Sequence, residues 1–96
     1  MIIRIVKLII IREKVDEFQL FFEKAKPSIS NFKGCNHVVL LKETEKGNIF
    51  FTYSHWKNKK MLENYRNSNF FQEIWKNTKS YLSGKPEAWS LNRIDL

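Results

Sequence analysis

Few side chains in this chain of 96 residues have the types and spacing that chemistry usually needs. His37 and His55 are the only histidines, and they form neither an HxxxH nor an HxxE spacing, so no metal triad is visible. The only glycines are Gly34, Gly47 and Gly84, which form none of the motifs of serine hydrolases, P-loops or dinucleotide-binding sites. Hydrolase and nucleotide-binding chemistry therefore lose most of their support, and we expect neither a metal nor a cofactor.

Aromatic side chains concentrate in one segment, residues 49–75, with the sequence IFFTYSHWKNKKMLENYRNSNFFQEIW. This segment carries eight of the fourteen aromatic residues of the chain. Its pattern predicts an aromatic strand, a turn at Trp56 and Asn58, and a helical part with a break at residues 67–69. A small domain that places its largest apolar side chains at one strand–helix corner builds either a core or a pocket there. The sequence alone leaves both open.

Charge and cysteine content bear on the partners and the compartment. The net charge of +7 suggests nucleic acid, but the lysines are scattered and cluster only at residues 57–60, so a solvated basic surface is favoured. Cys35 is the only cysteine, which excludes an intramolecular disulfide and fits a reducing compartment. Arg4 and Lys7 interrupt the apolar N-terminal run, and no small-residue cleavage site follows. We expect a cytoplasmic protein with no membrane partner.

The hydrophobic periodicity and the turn residues predict the order of the elements. The predicted strands are 2–11, 36–43, 49–56 and 88–94, and the predicted helices are 14–30, one capped by Asn58, and one capped by Ser68 or Asn69. Residues 1–96 are therefore expected to form one α+β domain. Its order is the ferredoxin-like βαββαβ, with an antiparallel sheet and helices on one face.

The first strand is apolar on both of its faces, which predicts a partner chain. Branched apolar residues occupy both parities of the strand: Ile3, Ile5, Ile9 and Ile11 on one face, and Ile2, Val6, Leu8 and Ile10 on the other. A strand with two apolar faces is usually covered on both sides, but the helices of one small chain cover only one. We therefore expect a homodimer through the second sheet face, a dimeric α+β barrel with its helices outside.

An RNA-recognition motif is a rival interpretation of the same element order. Residues 46–53, KGNIFFTY, match much of the third-strand signature of that motif. However, Asn48 replaces one of the aromatic residues that stack on bases, and the first strand offers no aromatic residue at all. Stacking contributes about 1–3 kcal/mol per base, so the loss of two platforms removes most of the affinity. The sequence thus disfavours nucleic acid as a partner.

Nearly the whole chain resembles the antibiotic biosynthesis monooxygenase family, whose members are small dimeric α+β barrel proteins. The resemblance is carried by short pieces that follow one another in the order typical of the family: Phe32-x-Gly34-Cys35, the aromatic strand ending in Trp56, Trp56-x-Asn58 before a helix, Ser68-x-x-Phe71, Trp75, and Lys85-Pro86-x-x-Trp89. Each piece alone is weakly specific, whereas their order and spacing are moderately specific.

The resemblance implies a cavity between the sheet and the helices, where some relatives oxidise quinols or polyketide phenols with dioxygen and without metal or flavin. This chemistry requires a phenol or enol to be deprotonated and held flat in an apolar pocket, with polar donors near the developing charge. The candidate walls are aromatic: Phe22, Tyr53, Trp56, Phe71 and Trp75. The expected ligand is thus a small aromatic molecule.

Proton transfer is where this chain departs from the family it resembles. Many relatives have a histidine at the position of Tyr65 and often another at that of Asn69. Tyrosine has a reference pKa of about 10 and is a poor base at neutral pH. We keep Tyr65 as a site residue, with His37 or His55 as the candidate base. If Arg4 faces the cavity, it would bind an anionic substrate.

Two other functions are compatible with the same fold. Haem-degrading relatives need a histidine ligand on the last helix, where this chain has Trp75, so haem ligation is not expected. A non-catalytic dimer that binds a small ligand, or that acts in a stress response, is favoured by the missing histidines.

Overall fold

A computed structural model describes residues 1–95 of the chain. The elements follow one another as β1 (Ile2–Ile9), a short 3-10 helix (Arg12–Lys14), α1 (Val15–Ser30), β2 (Cys35–Lys42), β3 (Ile49–Trp56), α2 (Lys59–Arg66), α3 (Asn69–Lys79) and β4 (Glu87–Leu91). The four strands form one antiparallel sheet in the order β2-β3-β1-β4. The predicted α+β, ferredoxin-like βαββαβ fold is therefore confirmed, with α2 and α3 sharing the place of the second helix.

Two of the predicted strands are longer than the observed ones. β1 ends at Ile9 rather than at residue 11, because Ile10 leaves the ladder and forms an isolated bridge with Leu82. β4 ends at Leu91 rather than at residue 94. Among the helices of residues 1–95, none is long and apolar enough to cross a membrane.

The junction between α2 and α3 is built by side-chain caps that the sequence specifies. The Asn58 side chain accepts a hydrogen bond from the Met61 amide at 2.9 Å and begins α2. The Ser68 hydroxyl accepts from the Phe71 amide at 3.0 Å and also donates to the Tyr65 carbonyl at 2.6 Å. Ser68, rather than Asn69, is thus the cap of α3, and it fixes the end of α2 as well.

The core lies between the sheet and the helices and consists of two clusters of buried side chains. The first cluster includes Phe22, Trp56 and Tyr65, and the second includes Phe18 and Phe50. Trp56, Phe18 and Phe50 are each only 1% exposed. The rings of Phe18 and Phe50 meet edge to face with centroids 5.2 Å apart, a favourable aromatic geometry. Members of both clusters line one cavity, which is described below.

The second face of the sheet is not covered by the helices. Alternation along each strand places every other side chain there. In the β1 register, Ile5 lies between Tyr53 of β3 and Trp89 of β4, at the middle of this open face. Trp89 is 44% exposed and Leu91 is 42% exposed in the single chain. The structure thus leaves uncovered the face through which the sequence predicts dimerisation.

Two glycines with positive φ provide a matched test of local packing. Gly34 has φ +91° and Gly47 has φ +77°, and alanine at such angles costs about 1 kcal/mol. An added Cβ at Gly34 would overlap Met61 and lie 2.7 Å from its Cγ, whereas an added Cβ at Gly47 would meet only Lys42 Cε, at 4.0 Å. We expect Gly47→Ala to lower the free energy of unfolding by about 1 kcal/mol and Gly34→Ala by about 2–4 kcal/mol.

The difference is measured by urea unfolding of the two variants and the parent protein. Gly47→Ala is the control, because it shares the backbone strain without the steric overlap. Equal losses of stability in the two variants would contradict the close approach of Gly34 to α2.

Candidate functional site

An apolar cavity of about 260 Å³ lies between the sheet and the helices. Its floor comes from the helix-facing side chains of the sheet and its roof from all three α-helices. The lining residues are Arg4, Val6, Leu8, Phe18, Phe22, Ile29, Val38, Thr52, Ser54, Trp56, Leu62, Tyr65, Arg66, Phe71, Ile74, Trp75, Thr78, Pro86, Glu87 and Ala88. Its volume is just below the range of about 300–1,000 Å³ usual for drug-sized ligands, so it suits a small aromatic molecule.

An aromatic wall of four side chains borders this cavity. Trp56 and Tyr65 stack with centroids 4.6 Å apart and planes 29° apart. Tyr65 meets Phe71 edge to face at 5.0 Å, and the planes of Phe71 and Trp75 are 7° apart at 6.3 Å. The indole Nε1 of Trp56 donates to Ser54 Oγ at 3.0 Å, which satisfies its buried donor and holds the ring. The wall is thus an oriented surface for a flat ligand.

The polar side of the cavity carries two arginines, Arg4 of β1 and Arg66 at the end of α2. Arg4 Nη1 donates to Ser90 Oγ at 2.9 Å, across the β1–β4 pair. Burial lowers the pKa of the Arg4 guanidinium below its usual value, and the charge of Arg66 lowers it further. Arg4 therefore does face the cavity, the condition on which its anion-binding role was predicted.

Tyr65 is a neutral group at physiological pH. Burial raises the pKa of its phenol far above the usual range, and the nearby Cys35 raises it further. Burial also raises the pKa of the Cys35 thiol. Tyr65 is consequently suited to donate a hydrogen bond in the cavity and not to accept a proton as a base.

The two histidines and Tyr53 lie on the opposite face of the sheet. His55 Nε2 is 2.9 Å from the Tyr53 hydroxyl, and the rings of His37 and His55 have centroids 5.4 Å apart and planes tilted by 59°. The expectation that these three residues share the cavity with Trp56 is corrected, because none of them lines it. Tyr53 and His55 are three and one residues before Trp56 in β3, so alternation turns them to the other face, and the ring of His37 lies beside theirs. Since Trp56 faces the helices, His55 cannot.

The other candidate residues do come together around the cavity. Phe22, Trp56, Tyr65, Phe71 and Trp75 all line it, while their roles in binding stay predictions. Sequence reasoning missed the partners that lie among them, such as Ser54, Thr52 and Arg66. Strand parity was the available signal for the first two, because Thr52 and Ser54 are four and two residues before Trp56 and share its face. Arg66 has no such signal, since it follows Tyr65 on a helix whose rotation the sequence leaves uncertain.

Metal binding finds no support in the side-chain arrangement. Across the described part of the chain, no group of three or more histidine, cysteine, aspartate or glutamate side chains could hold a metal ion. On α3, Trp75 lies against the cavity where the resemblance would put a haem-ligating histidine in haem-degrading relatives.

Comparisons with known proteins agree on the fold. A family model described as antibiotic biosynthesis monooxygenase matches residues 1–77. A conserved protein of Methanosarcina mazei Go1 has 24% identity and a TM-score of 0.88, with 97% of this chain and 93% of that chain covered. A structure described as an antibiotic biosynthesis monooxygenase has 12% identity and a TM-score of 0.90, covering 99% and 100%. A protein of Mycobacterium tuberculosis has 12% identity and a TM-score of 0.87, covering 99% and 96%. A search of curated proteins gives no match.

The raised pKa of Tyr65 predicts a loss of stability at alkaline pH. In the unfolded chain the tyrosine has a pKa of about 10, so the folded chain holds this proton more tightly. The resulting stabilisation is complete below about pH 10 and is lost as the pH rises towards the folded-state pKa. We expect the free energy of unfolding of the parent protein to fall more steeply above this pH than that of Tyr65→Phe.

Urea unfolding at a series of pH values measures this difference, and the tyrosinate absorbance of the two folded proteins gives an independent readout. Tyr65→Phe keeps the ring in the aromatic wall and removes only the titrating hydroxyl. Parallel stability curves for the two proteins across the alkaline range would show that the hydroxyl is not desolvated.

Proposed function

The chain belongs to the antibiotic biosynthesis monooxygenase family, and from this premise we propose that it oxidises a small aromatic, quinol or polyketide-type compound with dioxygen. The reaction takes place in the cavity between the sheet and the helices and uses neither metal nor flavin. One observation carries the proposal: Trp56, Tyr65 and Trp75 border a single apolar cavity rather than filling it. Had these side chains closed the space, no substrate could be held there.

The proposed chemistry balances without an external reductant. For a phenol with a free para position, one phenol and one dioxygen give one quinone and one water. A ring C–H bond is replaced by a C=O bond, so one oxygen atom enters the product. The other oxygen leaves as water with the hydrogens that the ring carbon and the hydroxyl lose. All four electrons that reduce dioxygen come from the substrate.

The cavity favours this reaction because it positions the substrate and keeps it away from water. The aromatic wall holds the flat substrate, and burial against apolar side chains excludes water from the electron-rich ring. Tyr65 lines the cavity as a neutral phenol, and in this proposal it donates a hydrogen bond to the oxygen atoms on which charge develops. His37, His55 and Tyr53 face the other side of the sheet, so in this proposal they do not carry the proton transfer.

Homodimerisation through the open sheet face is part of the proposal. The face carries Ile5, Tyr53, Trp89 and Leu91, which the helices of the same chain do not cover. A partner sheet would bury them and complete the α+β barrel. Since the lone Cys35 suits a reducing compartment, we also propose a cytoplasmic location.

A non-catalytic role in binding a small ligand is the second candidate. The observation that favours it is that none of the residues lining the cavity is a histidine. The same aromatic wall would then bind a small aromatic compound without converting it.

Oxygen uptake with a panel of hydroquinones and naphthols tests the proposed oxidation. Ile74→Trp replaces a branched side chain of the cavity lining by a larger indole ring, so we expect the uptake rate to fall at least about tenfold. Leu20→Trp is the matched control, because Leu20 is 52% exposed on the outer side of α1 and is not part of the cavity lining. If no compound is oxidised while several bind, the binding function replaces the proposed oxidation. Equal uptake rates in the two variants would show that the oxidation does not take place in this cavity.

The proposed dimer is tested by the molar mass of the protein in solution. We expect twice the mass of one chain for the parent, and the mass of one chain for Ile5→Glu, because a carboxylate at the middle of the covered face would be buried unpaired. Leu20→Glu introduces the same charge on the outer helix surface and should remain dimeric. A parent protein with the mass of a single chain, measured by light scattering after size exclusion, would contradict the barrel.

A further inference from the structure

Two arginine side chains line the same cavity, and neither forms an ion pair within residues 1–95. Arg4 reaches it from β1 and Arg66 from the last turn of α2. Arg4 is half-buried, and its side chain donates to the neutral hydroxyl of Ser90. Within residues 1–95, neither of the two ion pairs involves Arg4 or Arg66. This end of the cavity is therefore cationic, while the rest of its lining is mostly apolar.

The remaining titratable groups around the cavity do not neutralise this charge. Besides the two arginines, the lining contains Tyr65 of α2 and Glu87 of β4, whereas α1, α3, β2 and β3 contribute apolar or hydroxyl side chains and the indoles of Trp56 and Trp75. Tyr65 is neutral, as described above. The carboxylate of Glu87 lies 3.9 Å from Lys7 Nζ, its cross-strand neighbour, whose position in β1 has the parity of the open face.

Such an arrangement favours an anion in the cavity. Burial and the mutual repulsion of the arginines both act against the charged form of Arg4, as its lowered pKa reflects. A bound oxyanion would relieve both effects, because it supplies the missing opposite charge and accepts hydrogen bonds from the guanidinium groups. Guanidinium groups suit this role because they remain charged when partly desolvated.

We propose that Arg4 and Arg66 form an oxyanion subsite that binds the ionised oxygen of a flat aromatic phenol or enol, with its ring against the wall of Trp56, Tyr65, Phe71 and Trp75. This subsite rests on the proposed function and names the form in which its substrate is bound. The hydroxyl proton passes to water, and the substrate remains as its phenolate or enolate. The arginines thereby replace the missing histidine: they stabilise the product of proton loss, so no general base is needed in the cavity.

The pKa of a bound phenol shifts in opposite directions in an apolar pocket and in an oxyanion subsite. An apolar cavity alone disfavours a charged ligand and therefore raises the pKa of a bound phenol. A cation within hydrogen-bonding range has the opposite effect and lowers the pKa of an acid by about 1–3 units. The direction of the shift upon binding thus separates an oxyanion subsite from a merely apolar pocket.

The test uses 4-nitrophenol, because its phenol and phenolate forms differ in visible absorbance. Its pKa is measured free and bound to the full-length protein, from absorbance titrations at saturating protein. We expect the bound pKa to be lower by at least about one unit, which corresponds to phenolate binding tenfold more tightly than phenol. Arg66→Gln and Arg4→Gln should each remove at least half of that shift, and Arg4→Lys should retain part of it.

Arg93→Gln is the matched control, because it removes the same charge at an exposed site that is not part of the cavity lining. It should leave the shift unchanged. A bound pKa equal to or above the free value, or an equal shift in all variants, would overturn the subsite while leaving the cavity as a binding site. No binding of 4-nitrophenol to the parent would overturn the subsite and the use of the cavity together. Since Arg66 is exposed, its variant keeps the test decisive even if Arg4→Gln does not fold.

Discussion

The pairing of β1 with β3 is the constraint on which the rest of the molecule depends. In this register Arg4 lies opposite Ser54, and Ile2 lies opposite Trp56. This one register therefore determines which side chains of the two central strands form the floor of the cavity. A slip by a single residue would turn every side chain of one strand to the other face. The cavity would then lose Trp56 and gain His55, while the open face would receive the largest buried ring of the chain.

The same register explains which parts of the structure the sequence could predict. Element order, the Asn58 cap and the two apolar faces of β1 depend on local signals, and the structure agrees with them. His37 and His55 are candidate bases because they are the only histidines of the chain, and that choice does not follow the alternation of β3. Alternation from Trp56 would have excluded His55 from the cavity. His37 is harder, because a bulge between Cys35 and His37 shifts the parity of β2.

The convergence of Arg4 and Arg66 lies beyond sequence reasoning for a different reason. These residues are far apart in the chain, and only the packing of α2 against the sheet brings both to one space. An arginine within an apolar strand is a local inconsistency, since its charge must be solvated or paired. Natural sequences tend to break such local rules where function requires it. The cavity thus combines a mostly apolar lining with one end that carries two arginines.

The Ser68 hydroxyl bears on how a compound enters and leaves. Because one oxygen joins the Tyr65 carbonyl to the Phe71 amide, swinging α3 away from α2 would break two hydrogen bonds at once. The joint between α2 and α3 is therefore held by two hydrogen bonds through one hydroxyl. Residues 86–88 border the cavity where β4 begins, and β4 is a five-residue edge strand with every residue exposed. The Arg4 guanidinium is held on Ser90 of this strand, so a compound that entered past β4 would come close to a cation as well as to the aromatic wall.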